Sequence, residues 1–183
     1  DRKRDKNKPF CLLLHHKAPH RTWMPDTCDL DWKEDSVFPL PETFYDKYEG
    51  RKAAELQEMS IIEDMDLVYD LKLADKENEI HSQPGLEKAG RAMYERMTPA
   101  QKVAWDKHYD PIIRKFKDDK PTGKALAEWK YQQYMKDYLR VIRSIDRNVG
   151  RVLDYLEKND LLDRTIIVYT SDQGFYMGEH GWF

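Results

Sequence analysis

No run of this sequence approaches the roughly 20 consecutive apolar residues that a membrane-spanning helix needs, and the apolar run at residues 9–14 is too short for a signal-peptide core. That run leads into His15, His16 and Lys17 rather than a small-residue cleavage site. Cysteine is scarce, with only Cys11 and Cys28, and no Cys/His spacing resembles a zinc site. Cys11 sits within the apolar run and reads as a buried thiol. A face-wide basic excess is also missing, since the net charge is −3, and this argues against a dedicated nucleic-acid binder. The basic opening Arg2-Lys3-Arg4-Asp5-Lys6-Asn7-Lys8 is short, is interrupted by Asp5, and reads as a solvated loop.

What is present describes one core of ordinary domain size: 183 residues, 40% hydrophobic and 36% charged. The most informative stretch is the last. Thr165-Ile166-Ile167-Val168-Tyr169-Thr170 is rich in β-branched residues and predicts a buried strand, reaching Asp172-Gln173-Gly174 at its end. In open α/β sheets that end is where ligands bind. Asp172 and Gln173 offer only oxygens, which suit a hard cation such as Ca²⁺ or Mg²⁺. Adjacent strand residues point to opposite faces, so both could serve one ion only where the backbone leaves the strand, as Gly174 permits. Taken alone, Asp172 reads more readily as the cap of a turn after a core strand.

Near the other end, Pro9-Phe10-Cys11-Leu12-Leu13-Leu14 predicts a short strand buried on both faces. Directly after it, His15-His16-Lys17-Ala18-Pro19-His20-Arg21 gathers nitrogen donors at a strand end, the kind of position that Asp172 occupies. Histidines bind metals or move protons, whereas Lys17 and Arg21 attract anions. The alternative is a polar loop with one satisfied core histidine.

Between these ends, residues 21–50 form an aromatic- and proline-rich excursion too apolar for disorder. Trp23 and Trp32 read as packing residues of this loop, with stacking on a sugar ring as their other use. Residues 59–69 allow a short helix or an edge segment. The region 86–158 is helical. One helix spans residues 86–97, and another opens on Thr98-Pro99-Ala100-Gln101, a capping box with proline at the first helical position. Pro111 is expected to kink or split this second helix. The clearest helix covers residues 124–158, where Tyr131, Tyr134, Tyr138, Val141, Ile142, Ile145, Val149, Val152, Leu153 and Leu156 recur at spacings of three and four. That stripe is core, and Gly150 within it allows close packing on a sheet. A long helix feeding a buried strand is the αβ half of an α/β unit.

The string Ser171-Asp172-Gln173-Gly174, followed by Gly178-Glu179-His180-Gly181, resembles the C-terminal metal-binding segment of the type I sulfatases in the alkaline phosphatase superfamily. The Pro9-Phe10 strand, its Ala18-Pro19-His20 ending, the long helix and the turn at Asn159-Asp160 resemble the same family; between about residues 51 and 130 the likeness is weak. The resemblance implies an α/β sandwich with a central, mostly parallel sheet flanked by helices, of which residues 1–183 form one incomplete segment with a metal-binding strand at 165–173. It implies Asp172 and Gln173 as Ca²⁺ ligands, Gln173 being one methylene longer than the commoner Asn. It also implies His20 as the catalytic residue, a sulfate contact or proton donor to the leaving oxygen, His16, Lys17 and Arg21 as substrate contacts, and His180 as a substrate contact or a residue that orients the loop.

In that family a hydrated formylglycine attacks sulfur, the alcohol leaves, and collapse of the sulfate hemiacetal regenerates the aldehyde. Calcium and cationic side chains stabilise the moving charge. The Cys/Ser-x-Pro/Ala-x-Arg motif that gives rise to formylglycine fits neither cysteine here, and the family's paired aspartates and its lysine beyond Gly-Glu-His-Gly are absent. The chain is therefore expected to be an internal piece of a larger enzyme, inactive alone, with formylglycine upstream. The implied partner is a sulfated glycan, with N-acetylglucosamine-6-sulfate favoured by His16 to Arg21, and the implied location is a periplasm or cell surface. The other open readings are a phosphodiesterase or phosphonate monoester hydrolase of the superfamily and a non-catalytic relative that binds sulfated glycans.

Overall fold

A computed structural model describes residues 3–183, so of the basic opening Arg2 lies outside the described residues, and the remainder is an exposed loop with turns. The helices are α1 (Lys52–Glu55), α2 (Pro84–Glu95), α3 (Pro99–Asp119) and α4 (Gly123–Lys158). Single 3₁₀ turns come after them at Leu162–Arg164 and Glu179–Gly181.

The expected capping box starts α3: the Thr98 hydroxyl accepts from the Gln101 N–H, and the Gln101 side chain accepts from the Thr98 N–H. Pro111 does not split α3, which runs on to Asp119. Proline removes one helical hydrogen bond, but Tyr109 and Ile113 on either side of it are buried in the core and hold the helix across the gap.

At 36 residues α4 is the longest element, about 54 Å at the usual helical rise. Its stripe behaves as expected over the first half: Tyr131, Tyr134, Val141 and Ile145 are buried with Trp23, Phe44, Met65, Leu71, Leu73 and Tyr109. Toward its C-terminal end Leu153 is exposed, and a Cβ added at Gly150 would meet nothing within 4 Å, so no sheet approaches there.

The two expected buried strands are not formed within this chain. Among the described residues the one β-bridge joins Ser60 to Trp182, an antiparallel contact made by Ile61 N–H to Gly181 O and Phe183 N–H to Met59 O. The edge-segment alternative for residues 59–69 is thus realised at its start. Segments 9–14 and 165–170 carry no ladder, and Leu13 is 73% and Ile166 94% exposed. Cys11 is exposed rather than buried. The physical reason is shared: a strand of continuous apolar residues is buried only when strands on both sides and helices on both faces cover it. These two segments do not pair with each other.

Beneath α4 lies an ionic core. Asp137 and Arg140 are fully buried, 3.2 Å apart. Asp137 also takes Lys72 Nζ at 3.1 Å and the Tyr109 hydroxyl at 3.0 Å. Burial first, and then the Asp137 charge, push the Tyr109 phenol well above its ordinary value, so it stays a donor. Arg140 reaches on to Glu34 at 2.5 Å and to the Trp32 carbonyl at 2.9 Å, which ties the 21–50 excursion to α4. Replacing Asp137 by alanine would leave the buried Lys72 without a carboxylate and Arg140 with Glu34 alone, and should cost about 3–5 kcal/mol, read from chemical denaturation; a loss under about 1 kcal/mol would show that the pair is not buried in solution.

Candidate active site

Trp23 is fully buried and is the point where the two motif-bearing ends meet. Its ring lies 4.5 Å from Tyr134 of α4, 5.4 Å from Phe175 and 6.1 Å from Phe183, measured between centroids. Phe175 also packs edge-on against Tyr138 at 5.7 Å. Arg21 lies two residues before Trp23 and Gln173 two before Phe175, so both motif ends are within roughly 7 Å of chain from that contact. The packing use of Trp23 holds. Trp32 is half-buried beneath Arg143, 4.9 Å from its ring.

Of the residues singled out in the first motif, His15, His16, Lys17 and His20 are exposed. His20 Nδ1 is 2.6 Å from the Arg21 carbonyl, and the His20 N–H donates to the Lys17 carbonyl at 3.0 Å, which closes the turn. His16 lies apart: with Leu12, Leu14, Asn148, Arg151, Val152 and Tyr155 it lines an open cavity of about 360 Å³ on the later half of α4. Arg21 is clamped by a side chain that sequence reasoning did not find. Its Nε and Nη2 donate to the two oxygens of the fully buried Asp70 at 2.7 and 2.5 Å. Its guanidinium also lies 4.8 Å from the Phe183 ring. Burial opposes the Arg21 charge, but the Asp70 hydrogen bonds and charge outweigh it and hold its pKa above the ordinary value. Asp70 in turn accepts from the Asp66 N–H at 2.8 Å, and the Asp70 carbonyl accepts from Lys72 at 2.5 Å. Arg21 is therefore connected through residues 66–72 to the ionic core.

Asp172 and Gln173 are both exposed, in a stretch without regular structure. The alternation that would separate two strand neighbours does not apply to them here. Past Phe175 the chain turns sharply. Gly178 has φ +98°, and a Cβ there would sit 2.6 Å from the Tyr131 ring. Gly181 has φ +71°, and a Cβ there would sit 2.7 Å from the Phe44 carbonyl. The glycines of Gly178-Glu179-His180-Gly181 are thus required by backbone angle and by contact with α4 and the 21–50 excursion.

That turn delivers His180, half-buried, to Asp46: Nδ1 lies 2.7 Å from Oδ2. Arg51 Nη2 donates to both Asp46 oxygens at 2.6 and 2.7 Å. Thr43 donates its hydroxyl to Glu179 and accepts from the His180 N–H at 2.9 Å. Arg51 first, then the Tyr48 N–H and His180, hold the Asp46 carboxyl far below the usual carboxylate range. Nothing local in the sequence ties Asp46 to His180 or Asp70 to Arg21, because each of these pairs is far apart along the chain.

A donor set for a hard cation is present in kind at Asp172 and Gln173, but two oxygens are fewer than the six to eight that Ca²⁺ takes. Among the described residues the group of three ligating side chains within 4.8 Å is Asp26, Cys28 and Asp29. Asp29 is already engaged by Arg143 at 3.2 Å and Arg147 at 2.8 Å, so that group is an ion-pair cluster.

The sulfatase family model matches residues 2–182. The chain belongs to the sulfatase family. Over 98% of its length it is 48% identical to an N-acetylglucosamine-6-O-sulfatase of Bacteroides thetaiotaomicron, covering 32% of that protein. A solved structure of a protein in complex with its substrate D-glucosamine-2-N,6-O-disulfate superposes on all of the chain with a TM-score of 0.89 and 47% identity, the chain covering 36% of it. A multifunctional alkaline phosphatase superfamily protein of Trinickia caryophylli is 36% identical over 77 residues, 40% of this chain and 15% of that protein. The chain thus spans about a third of the length of its first two relatives. It shares its fold with that solved structure, and among the described residues no helix is long and apolar enough to cross a membrane.

The sign of the Asp46 effect on stability is set by its depressed pKa. The contribution is fully present above the unfolded value near pH 4 and is lost as pH falls toward the folded one. Wild type should therefore exceed Asp46→Asn in stability at pH 7, with the gap shrinking at pH 3 in denaturant melts. An equal gap at both pH values would contradict the pairing.

Proposed function

We propose that this chain is part of a sulfuric ester hydrolase that removes the 6-O-sulfate from N-acetylglucosamine or a related glucosamine in a glycan. The observation that carries the reading is the 48% identity to an N-acetylglucosamine-6-O-sulfatase along nearly the whole chain. It is supported by the Trp23–Phe175 contact, which draws the His20 and Asp172 motifs together.

In this reading segments 9–14 and 165–173 are strands of a central, mostly parallel sheet whose remaining strands come from elsewhere in the protein. Their exposed apolar faces are what such strands would cover. The Asp172 carboxylate and the Gln173 amide oxygen supply part of a calcium shell, with the other ligands and the formylglycine contributed outside these residues. Bound calcium would neutralise charge on the sulfate oxygens.

The work of this chain's own side chains is binding and proton transfer. His20, exposed and with Nδ1 turned to the Arg21 carbonyl, meets the sulfate ester through Nε2 and gives a proton to the leaving oxygen. Lys17 and Arg21 attract the anion. Arg21 has spent Nε and Nη2 on Asp70, so Nη1 is its free edge. His180 contacts the sugar, and His16, apart in the cavity on the later half of α4, meets a more distant part of the glycan. The proposed location is a periplasm or the cell surface, as the likeness to glycan-degrading sulfatases implies.

The test is sulfate release from N-acetylglucosamine-6-sulfate by the full-length protein, with calcium and with chelator. His20→Ala should lower kcat about 10²- to 10⁴-fold, the usual weight of a positioned proton donor, and Asp172→Ala should abolish the response to calcium. Full turnover in Asp172→Ala, or hydrolysis of phosphodiesters in preference to sulfate esters, would overturn the assignment.

A further inference from the structure

The His180 ring is held from one side only. Asp46 Oδ2 lies 2.7 Å from Nδ1, whereas Nε2 has no hydrogen-bond partner among the described residues and the side chain is 36% exposed. The backbone of His180 is secured separately, by Thr43 at its N–H and by the Tyr48 hydroxyl at its carbonyl. The Trp182 ring flanks the imidazole with centroids 5.9 Å apart. The titratable groups facing the ring are Asp46, Arg51 and Tyr48 from the 43–51 loop, with Asp64 near Tyr48, and Glu179 from its own turn. Because Arg51 keeps Asp46 ionised, the carboxylate has no proton to give, and Nδ1 must be the donor. Nε2 is then an acceptor in the neutral ring and a donor in the imidazolium.

We propose that Asp46, backed by Arg51, is a positioning residue that sets the tautomer and the aim of His180 so that its Nε2 meets the substrate. The proposal rests on the reading of His180 as a substrate contact. It gives the 21–50 excursion a part in the site, because Asp46 lies 134 residues before the histidine it orients. It also accounts for the positive-φ glycines on either side of Glu179-His180: a looser turn would let Nδ1 slip from the carboxylate.

Histidine side-chain ¹⁵N NMR of the full-length protein at alkaline pH, with His180→Gln to assign the signal, reads the tautomer of the neutral ring. The expected wild-type signal is the Nδ1–H tautomer. Asp46→Ala removes the acceptor at Nδ1 and should abolish that preference, whereas Asp46→Glu should retain it. Loss in one variant with retention in the other does not arise from general loss of structure, which far-UV circular dichroism monitors in parallel. An unchanged tautomer in Asp46→Ala overturns the proposal. In the same proteins kcat/KM for sulfate release should fall about tenfold or more in Asp46→Ala and recover in Asp46→Glu. A tautomer that changes while sulfate release does not overturns the substrate contact and leaves the sulfatase reading intact. Failure of the wild-type protein to release sulfate is the failure of that reading, seen before any variant is made.

Discussion

Burial of Trp23 is the constraint on which the rest depends. Its indole touches α4, the segment after Asp172-Gln173 and the final residue Phe183, so one side chain joins three parts of the chain. Contacts among such rings exceed simple area burial by about 0.5–1.5 kcal/mol per pair and are directional. They therefore set where the two motif ends lie, as well as whether the core holds. His20 and Arg21 take their position from Trp23, and Asp172 and Gln173 take theirs from Phe175.

A second, ionic layer fixes the orientation of the pieces that Trp23 gathers. Lys72 and Arg140 are buried and both pair with the buried Asp137, and through residues 66–72 this layer ends at Asp70, the partner of Arg21. Buried ion pairs seldom add much net stability. What this one supplies is geometry: a bidentate carboxylate holds the plane of a guanidinium more tightly than apolar packing would. Asp46 and Arg51 do the same for His180 in the shallower part of the site, where solvent screens the interaction and its main product is again orientation.

These layers differ in how far they can be read from the sequence. The helix α4 is legible because its apolar stripe recurs over 36 residues, and α3 because Thr98, Pro99 and Gln101 spell a cap. The strands at 9–14 and 165–173 have the composition of buried strands, yet composition says nothing about which chain supplies the neighbours, and within these residues none pairs with them. The motif glycines are legible as punctuation, but their reasons, the Tyr131 ring and the Phe44 carbonyl, belong to the folded state. Asp46 and Asp70 are ordinary acidic residues in a sequence full of them. Only tertiary contact separates them from the rest, and no local pattern carries that information. Cys11 shows the opposite error, an apolar context taken for burial where the covering layer is not in the chain.

The central claim is that the His20 and Asp172 motifs face one ligand around the Trp23 contact. A crystal structure of the full-length protein with calcium and D-glucosamine-2-N,6-O-disulfate tests it most directly. The expected result is one calcium at about 2.3–2.6 Å from the Asp172 carboxylate and the Gln173 amide oxygen, with His20 within hydrogen-bonding distance of the same sulfate and the Trp23–Phe175 contact intact. Calcium bound at Asp26 and Asp29 instead, or a sulfate held away from His20, would contradict it.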